Sequence, residues 1–468
     1  MDEMYEDSYP YDDVEDNYDQ VYLEEMDANY FQDNIEITYS IQNIWEDCLH
    51  PTLNDGFNSS FRLLMCCLLL KFIKSLNYLP SSVIHLTSAG TGLYCLYYFF
   101  EELIIYVIIL AIIGYLTLVI VHITWRRYCG YICFAICFTF LIICELFIVI
   151  PTQWHRIRGS QMILAMKIIS LGFDIDCSLK FPSLIECIGY YFCVGSVIFG
   201  PWVSFSNYMK LLQERSVNIQ WIFKIVKCLT LSYLFLTIST CWINWLIPYS
   251  SWRWMSAYCD ALSFRSSHYF ISYLSEVTSL LCGISTSLNT WEMPVVSPFF
   301  IEIPRSLVEV VIYWNIPMHY WLKTYIFKTA RPFGNFFAVL LTYIASSLLH
   351  GLNFQLAAVL LSLGFYTYIE YSLRQKLGTI FDACILARKC KKDCDHTYKS
   401  SHPYVAIINI CFGLLAMFHL AYLGVMFDTS SSVQEEGYNM KHTLYKWANL
   451  NFASHWVAFA TYIFNILV

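Results

Sequence analysis

Apolar residues in this chain come in long blocks separated by short polar breaks. A helix needs about 20 mostly apolar residues to cross the hydrocarbon core of a bilayer. Blocks of that kind lie near 61–79, 83–100, 103–124, 131–151, 184–204, 221–247, 269–286, 336–354, 355–373, 405–427 and 450–467. Shorter or more polar stretches at 160–173 and 296–316 are expected to be re-entrant, tilted or buried among other helices. The count is then about 10 to 12 membrane helices including re-entrant segments, each satisfying its own backbone hydrogen bonds. Open strands cannot span lipid, so the expected fold is an all-α, polytopic transmembrane helical bundle.

The polar breaks set the orientation, because short cytosolic loops are enriched in Lys and Arg. The loop 374–404 carries Arg374, Lys376, Arg388, Lys389, Lys391, Lys392 and Lys399 against three acidic residues, and is expected in the cytosol. Arg126-Arg127 and the segment from Lys210 to Lys227 point the same way. Three spans before Arg126 then put the N-terminus in the lumen, the side on which the sequon Asn58-Ser59-Ser60 matters. No internal repeat and no matched pair of Gly/Pro-broken helices of the transporter kind is visible.

Composition fits this reading: 57% of the 468 residues are hydrophobic and 14% charged, whereas soluble domains carry about 25% charged residues. The 36 Tyr, 34 Phe and 14 Trp suit helix packing in lipid and aromatic belts at its surfaces. The net charge of −8 is unevenly spread, since residues 1–50 hold 16 acidic residues and no Lys or Arg. That stretch has neither the basic nor the apolar region of a cleavable signal peptide. It predicts an acidic, disordered tail over 1–55 ahead of a membrane domain over 56–468. Most of the 19 Cys, such as Cys66, Cys67, Cys133, Cys137, Cys144 and Cys193, lie in apolar runs and read as free thiols rather than a secreted framework.

Candidate chemistry concentrates in the second half. In FFAVLLTYIASSLLHGLNF (336–354), Tyr343, Ser346, Ser347 and His350 share one helix face within an otherwise apolar segment. Ionisable residues at membrane depth face a protein interior or an aqueous cavity. Burial favours the uncharged imidazole, the form a general base needs; the alternative is a structural His bonded to neighbouring helices. In Tyr313-Trp314-Asn315-Ile316-Pro317, the proline ends a helix beside Asn315, whose carboxamide is free to reach a ligand or His350, or simply caps the turn. Lys323, Lys328 and Arg331, interleaved with Trp321, Tyr325 and Phe327, suit a nucleotide-bearing acyl carrier or merely mark the cytosolic side. Two further motifs carry less. His50 to Asp55 has an H-x₄-D spacing in what reads as a polar turn, without the flanking context of glycerolipid acyltransferases. Cys390, Cys394 and His396 resemble zinc ligands, but no fourth ligand is evident and a solvated loop with free Cys is expected.

The segments WNIPMHYWLKTYIFK (314–328) and TYIASSLLHGLNFQLAAVLLSLGFYTYIEYSLR (342–374) resemble the membrane-bound O-acyltransferase family. So do WHRIRGSQMILAMKIISLGFDID (154–176), GYYFCVGSVIFGPWVSF (189–205), FHLAYLGVMFD (418–428) and KWANLNFASHWVAFATYIF (446–464), whereas the acidic tail does not match. The resemblance implies a multi-pass enzyme of the endoplasmic reticulum membrane, a protein-serine O-palmitoleoyltransferase. It would move a monounsaturated acyl group from palmitoleoyl-CoA, as co-substrate, to a serine of Wnt proteins and so enable their secretion. By the same resemblance His350 falls on the catalytic His and Asn315 on its paired Asn, while Trp314, Tyr343 and Ser346 fall on positions lining the acyl-CoA tunnel and reaction centre. The expected partners are the Wnt substrate, acyl-CoA and the lipid membrane, with no further cofactor, no metal and no nucleic acid. The competing expectations are acylation of a lysophospholipid or sterol on the same fold, or a non-enzymatic transporter or escort that binds acyl groups.

Overall fold

A computed structural model describes residues 41–468, apart from 77, 178–179, 214–217, 248–251, 288–289, 392 and 428–439. The first half contains α1 (His50–Ser75), α2 (Ser81–Phe100), α3 (Ile104–Thr124), α4 (Cys129–Ile143), α5 (Pro151–Cys177), α6 (Leu184–Tyr191) and α7 (Ile219–Thr237). The second half contains α8 (Arg253–Cys282), α9 (Leu307–Trp314), α10 (Ile316–Trp321), α11 (Asn335–Leu349), α12 (Phe354–Ile380), α13 (Pro403–Gly424), α14 (Met440–Asn449) and α15 (Ala453–Leu467). Among the described residues the only extended pairing is an isolated bridge between Ala383 and Tyr398. Six helical stretches are long and apolar enough to cross a membrane, and one of these, Ser81–Thr124, comprises both α2 and α3. The chain is therefore a multi-pass, all-α membrane protein.

Helix α3 shows how the apolar blocks are used. Its Val107, Leu110, Ala111, Gly114, Leu118 and Val121 are buried against α4 and α5. On the opposite face Ile105, Ile109, Ile112, Leu116, Ile120 and Ile123 are exposed, at a helical spacing that makes a continuous apolar stripe. Such a stripe costs nothing in hydrocarbon and a great deal in water.

Two helices that apolarity alone underestimates form the centre. The stretch 160–173 belongs to the 27-residue α5, buried among its neighbours, one of the alternatives its polarity allowed. Its Ser160, Gln161, Lys167 and Ser170 are all buried. Lys167 donates to the carbonyls of Tyr190 and Tyr191 at 2.8 and 3.2 Å. Likewise α8 starts at Arg253, well before the expected 269, because the charges that interrupt its pattern are paired. Arg265 lies 2.8 Å from Glu302 and Glu276 2.8 Å from Lys224.

The block 184–204 is not one span. It breaks after α6, makes a short turn at Val194–Val197 and continues irregularly through Gly200-Pro201. Glycine is required where backbones meet: a Cβ on Gly195 would fall 2.8 Å from the Cys282 sulfur and 3.0 Å from the Thr278 carbonyl. The Gly195 carbonyl in turn accepts from Thr278 and Ser279, both at 3.0 Å. Irregular backbone at this depth is tolerated because protein surrounds it.

At the N-terminal side, residues 1–40 of the expected tail lie outside the described residues, and residues 41–55 are helical. His50 to Asp55 form the first turns of α1, with Pro51 at the helix start where its missing N–H costs nothing, so the expected polar turn is absent. Ser60 of the sequon is buried and bonded to Tyr233 at 2.7 Å. Most of the described cysteines are free thiols, but Cys48 and Cys241 are joined by a disulfide.

That disulfide and the basic loop occupy opposite ends of the bundle. Helices α1 and α7 run antiparallel, with Cys48 and Cys241 at one end and Lys74 donating to the Gln213 carbonyl at the other. Ser263 near the start of α8 bonds the Ser239 carbonyl, while Trp221 bonds the Leu280 carbonyl near its finish. Trp254 of α8 stacks on Phe418 near the finish of α13. Pro403, at the start of α13, and the loop before it therefore lie at the end away from the disulfide.

Candidate active site

Helix α11 has 15 residues, spans about 22 Å at 1.5 Å per residue, and stops short of a full crossing. His350 is its C-cap, and the chain turns through Gly351 at φ 100° before Asn353 caps α12. A Cβ at Gly351 would collide with Arg158 and Glu145, so the positive φ and the crowding both demand glycine. Glu145 fixes the turn by accepting from the Leu352 N–H at 2.7 Å. Broken helices within a membrane are found where backbone lines a cavity or is covered by protein.

His350 is half-buried, and neither ring nitrogen bonds a described residue. Several other histidines in the helices are hydrogen-bonded through their rings, though among the described residues His122, His155 and His319 are not. His85 bonds Tyr208, His419 bonds Ser454 and His455 bonds Tyr422. The structural alternative describes those three residues. The charged Arg158 and the His268 ring act on His350 electrostatically. Ser346 and Ser347 are buried on the same helix, and Tyr343 lies against Gly364 of α12, where an added Cβ would sit 2.7 Å from its ring.

Asn315 ends α9 and starts α10, in extended conformation at φ −148° and ψ 91°. Its Oδ1 accepts from the Met318 N–H at 3.0 Å, so the capping alternative holds for that half of the carboxamide. Its Nδ2 has no partner among the described residues and presents only donors. Trp314 stacks on His268 with ring centroids 4.4 Å apart and planes 6° apart. His268 donates from Nε2 to the Trp314 carbonyl at 2.9 Å. Among the described residues no hydrogen bond joins Asn315 to His350, and His268 is the group that relates their two segments. It stands at the middle of the 30-residue α8.

His268 was not singled out from the sequence, nor were the polar residues of α5. Trp154 Nε1, Arg158 Nη1 and the Gln161 carboxamide are buried without a hydrogen-bond partner among the described residues. They sit at i, i+4 and i+7, one helix face. That periodicity in WHRIRGSQ was the available signal. Buried polar atoms of this kind mark places where a ligand or ordered water belongs.

The remaining candidates fall elsewhere. Lys323, Lys328 and Arg331 are exposed, with Lys323 and Arg388 acting electrostatically on His319. A cavity of about 360 Å³ lined by Thr52, Asp55, Ser60, Phe99, Phe199 and Phe270 contains none of the five predicted site residues. It opens among α1, α7 and α8 on the disulfide side. The helix break at His350 lies apart from this cavity.

Residues 94–375 match the membrane-bound O-acyltransferase family. The chain is 40% identical over 454 residues to the protein-serine O-palmitoleoyltransferase porcupine of Homo sapiens, covering 91% of this chain and 98% of that protein. It is 36% identical over 473 residues to the protein of the same name from Anopheles gambiae, covering 92% and 94%. Lysophospholipid acyltransferase 2 of Arabidopsis thaliana is more distant, 25% identical over 321 residues and covering 57% and 68%. With its all-helical membrane body, the chain belongs to the membrane-bound O-acyltransferase family.

Proposed function

We propose that the chain is a protein-serine O-palmitoleoyltransferase. It takes a palmitoleoyl group from acyl-CoA and esterifies a serine of a Wnt protein in the endoplasmic reticulum membrane. The single observation that carries the catalytic reading is His350, an imidazole without a hydrogen-bond partner among the described residues, at the break between two apolar helices. The named relatives that span nearly the whole chain support the acyl group and the class of acceptor.

His350 takes the proton of the substrate serine hydroxyl, a role worth about 10²–10⁴-fold. The serine oxygen attacks the thioester carbonyl carbon, the carbon–sulfur bond breaks, and the proton passes from the imidazolium to the CoA sulfur. Asn315 Nδ2, its Oδ1 being occupied by the cap, donates to the oxygen on which negative charge develops. Trp314, Tyr343 and Ser346 wall the acyl chain, and their rigidity fixes thioester and hydroxyl together. CoA enters from the side of the basic loop, where Lys323, Lys328 and Arg331 meet its phosphates. The serine arrives from the disulfide side, which the Cys48–Cys241 bond suits to an oxidising lumen.

The test uses membranes containing the full chain, labelled palmitoleoyl-CoA, a Wnt serine peptide and, in parallel, a lysophospholipid. A peptide ester formed mole for mole with free CoA and lost in His350→Ala is expected. Wild-type turnover by that variant removes His350 as the base. A lysolipid ester without peptide ester removes the protein substrate, and acyl movement with no new ester removes the enzyme reading.

A further inference from the structure

The loop between α12 and α13 brings in a cysteine that spacing did not associate with the others. Cys384, Cys390, Cys394 and His396 gather so that one ligand atom from each lies within 4.8 Å of all the rest. The Cys384 sulfur is 3.3 Å from that of Cys394 and 3.8 Å from His396 Nδ1, and the Cys390 sulfur is 3.9 Å from the same nitrogen. Zinc held at about 2.3 Å from sulfur and about 2.0–2.1 Å from nitrogen in a tetrahedron puts sulfurs about 3.8 Å apart and sulfur and nitrogen about 3.6 Å apart. A disulfide needs sulfurs at about 2.05 Å, which the 3.3 Å separation of Cys384 and Cys394 excludes.

We propose that these four residues hold a structural zinc ion. The backbone is already folded for it. The Cys384 N–H donates to the Tyr398 carbonyl at 2.9 Å and the Tyr398 N–H to that of Asp382 at 3.0 Å, which returns His396 to Cys384. Asp382 accepts from both the N–H and the hydroxyl of Thr397. Three thiolates and a dication leave one negative charge, and Lys399 Nζ, 3.9 Å from the Cys394 sulfur, lies beside it. Binding releases the three thiol protons and involves no electron transfer. The match to the family model ends at residue 375, before this loop.

The ion fixes carbonyls that the membrane helices depend on. Arg305 donates to the carbonyls of Cys384 and Leu386 at 2.7 and 3.2 Å, and Ser306 to that of Ala387 at 2.8 Å. Arg305 and Ser306 lead directly into α9, whose other end is Trp314 and Asn315. A loop this small has few apolar residues to bury, among them Ala383 and Ile385. A metal then supplies the closure that a core cannot.

The test is the metal content of the full chain, purified in detergent without added metal and analysed by mass spectrometry of the elements. One zinc per chain is expected. The double variant C390S/C394S should lose it, whereas Cys411→Ser, an exposed thiol on α13, should keep it, and so should His350→Ala. Should the double variant fail to fold, the wild type decides alone. Treatment with a strong chelator should make Cys384, Cys390 and Cys394 newly reactive to an alkylating reagent, and cobalt added afterwards should give the thiolate charge-transfer bands of a tetrahedral site. Zinc far below one per chain, iron in its place, a Cys384–Cys394 disulfide in the peptide masses, or alkylation unchanged by the chelator each overturns the proposal.

Discussion

Arg374 is fully buried and binds five acceptors: the carbonyls of Ile385 at 2.7 Å, Arg305 at 2.8 Å and Leu386 at 3.1 Å, Asn409 Oδ1 at 2.6 Å and Glu370 at 3.2 Å. It was counted among the loop charges that set orientation, yet it serves inside the protein. Arg374→Met leaves the buried Glu370 carboxylate without its partner, a loss of about 3–5 kcal/mol. Stranding the carbonyls adds to this. The double variant R374M/E370Q removes the stranded charge, while the Gln oxygen can still accept from the Leu307 N–H that Glu370 holds at 2.9 Å. The double variant should therefore be more stable than R374M, with a coupling of about 0.5–3 kcal/mol. Arg374→Lys should fall between wild type and R374M, because a point charge cannot span acceptors arranged for a planar fork. The assay is the midpoint of thermal loss of the monodisperse peak in detergent for the wild type, R374M, R374K, E370Q and R374M/E370Q. A wild-type midpoint for R374M, or a double variant whose loss equals the sum of the singles, refutes the reasoning.

Asn315→Asp keeps the acceptor for the Met318 N–H but loses the Nδ2 donor, so peptide acylation should fall about 10²–10³-fold while the melting midpoint holds. Asn315→Ala should also lose about 1 kcal/mol of stability, since the cap goes too. Gly364→Ala drives a methyl to 2.7 Å from the Tyr343 ring and should raise the KM for acyl-CoA more than it lowers kcat, as steady-state kinetics will show. Cys48→Ser removes a tether between residues 193 apart and should cost about 2–4 kcal/mol, matched by the midpoint shift that a reducing agent produces in the wild type.

The outer helices were legible because lipid-facing residues have no reason to be polar: α3 and α13 appear where their apolar blocks lie. The central helices were harder for the opposite reason. Lys167, Arg265 and Glu276 are buried with partners supplied by other segments, and a hydropathy pattern cannot see partners distant in sequence. The same limit governed the site. Tyr343, Ser346 and His350 share one helix face and Asn315 stands two residues before Pro317, so local spacing singled them out, whereas Trp314 came from the family resemblance. His268 became visible only when folding stacked it on Trp314, and Cys384 only when the loop closed on itself.

The covalent link between Cys48 and Cys241 also fixes where α1 begins. Four residues beyond Cys48, Thr52 and then Asp55 enter the rim of the 360 Å³ cavity. All sixteen acidic residues of positions 1–50 precede Cys48 in sequence, and the last two, Glu46 and Asp47, stand in the helical turn that carries it, at one doorway of the bundle. A cationic peptide approaching that doorway meets an attractive field before it meets the protein wall, and raising the ionic strength should slow its arrival.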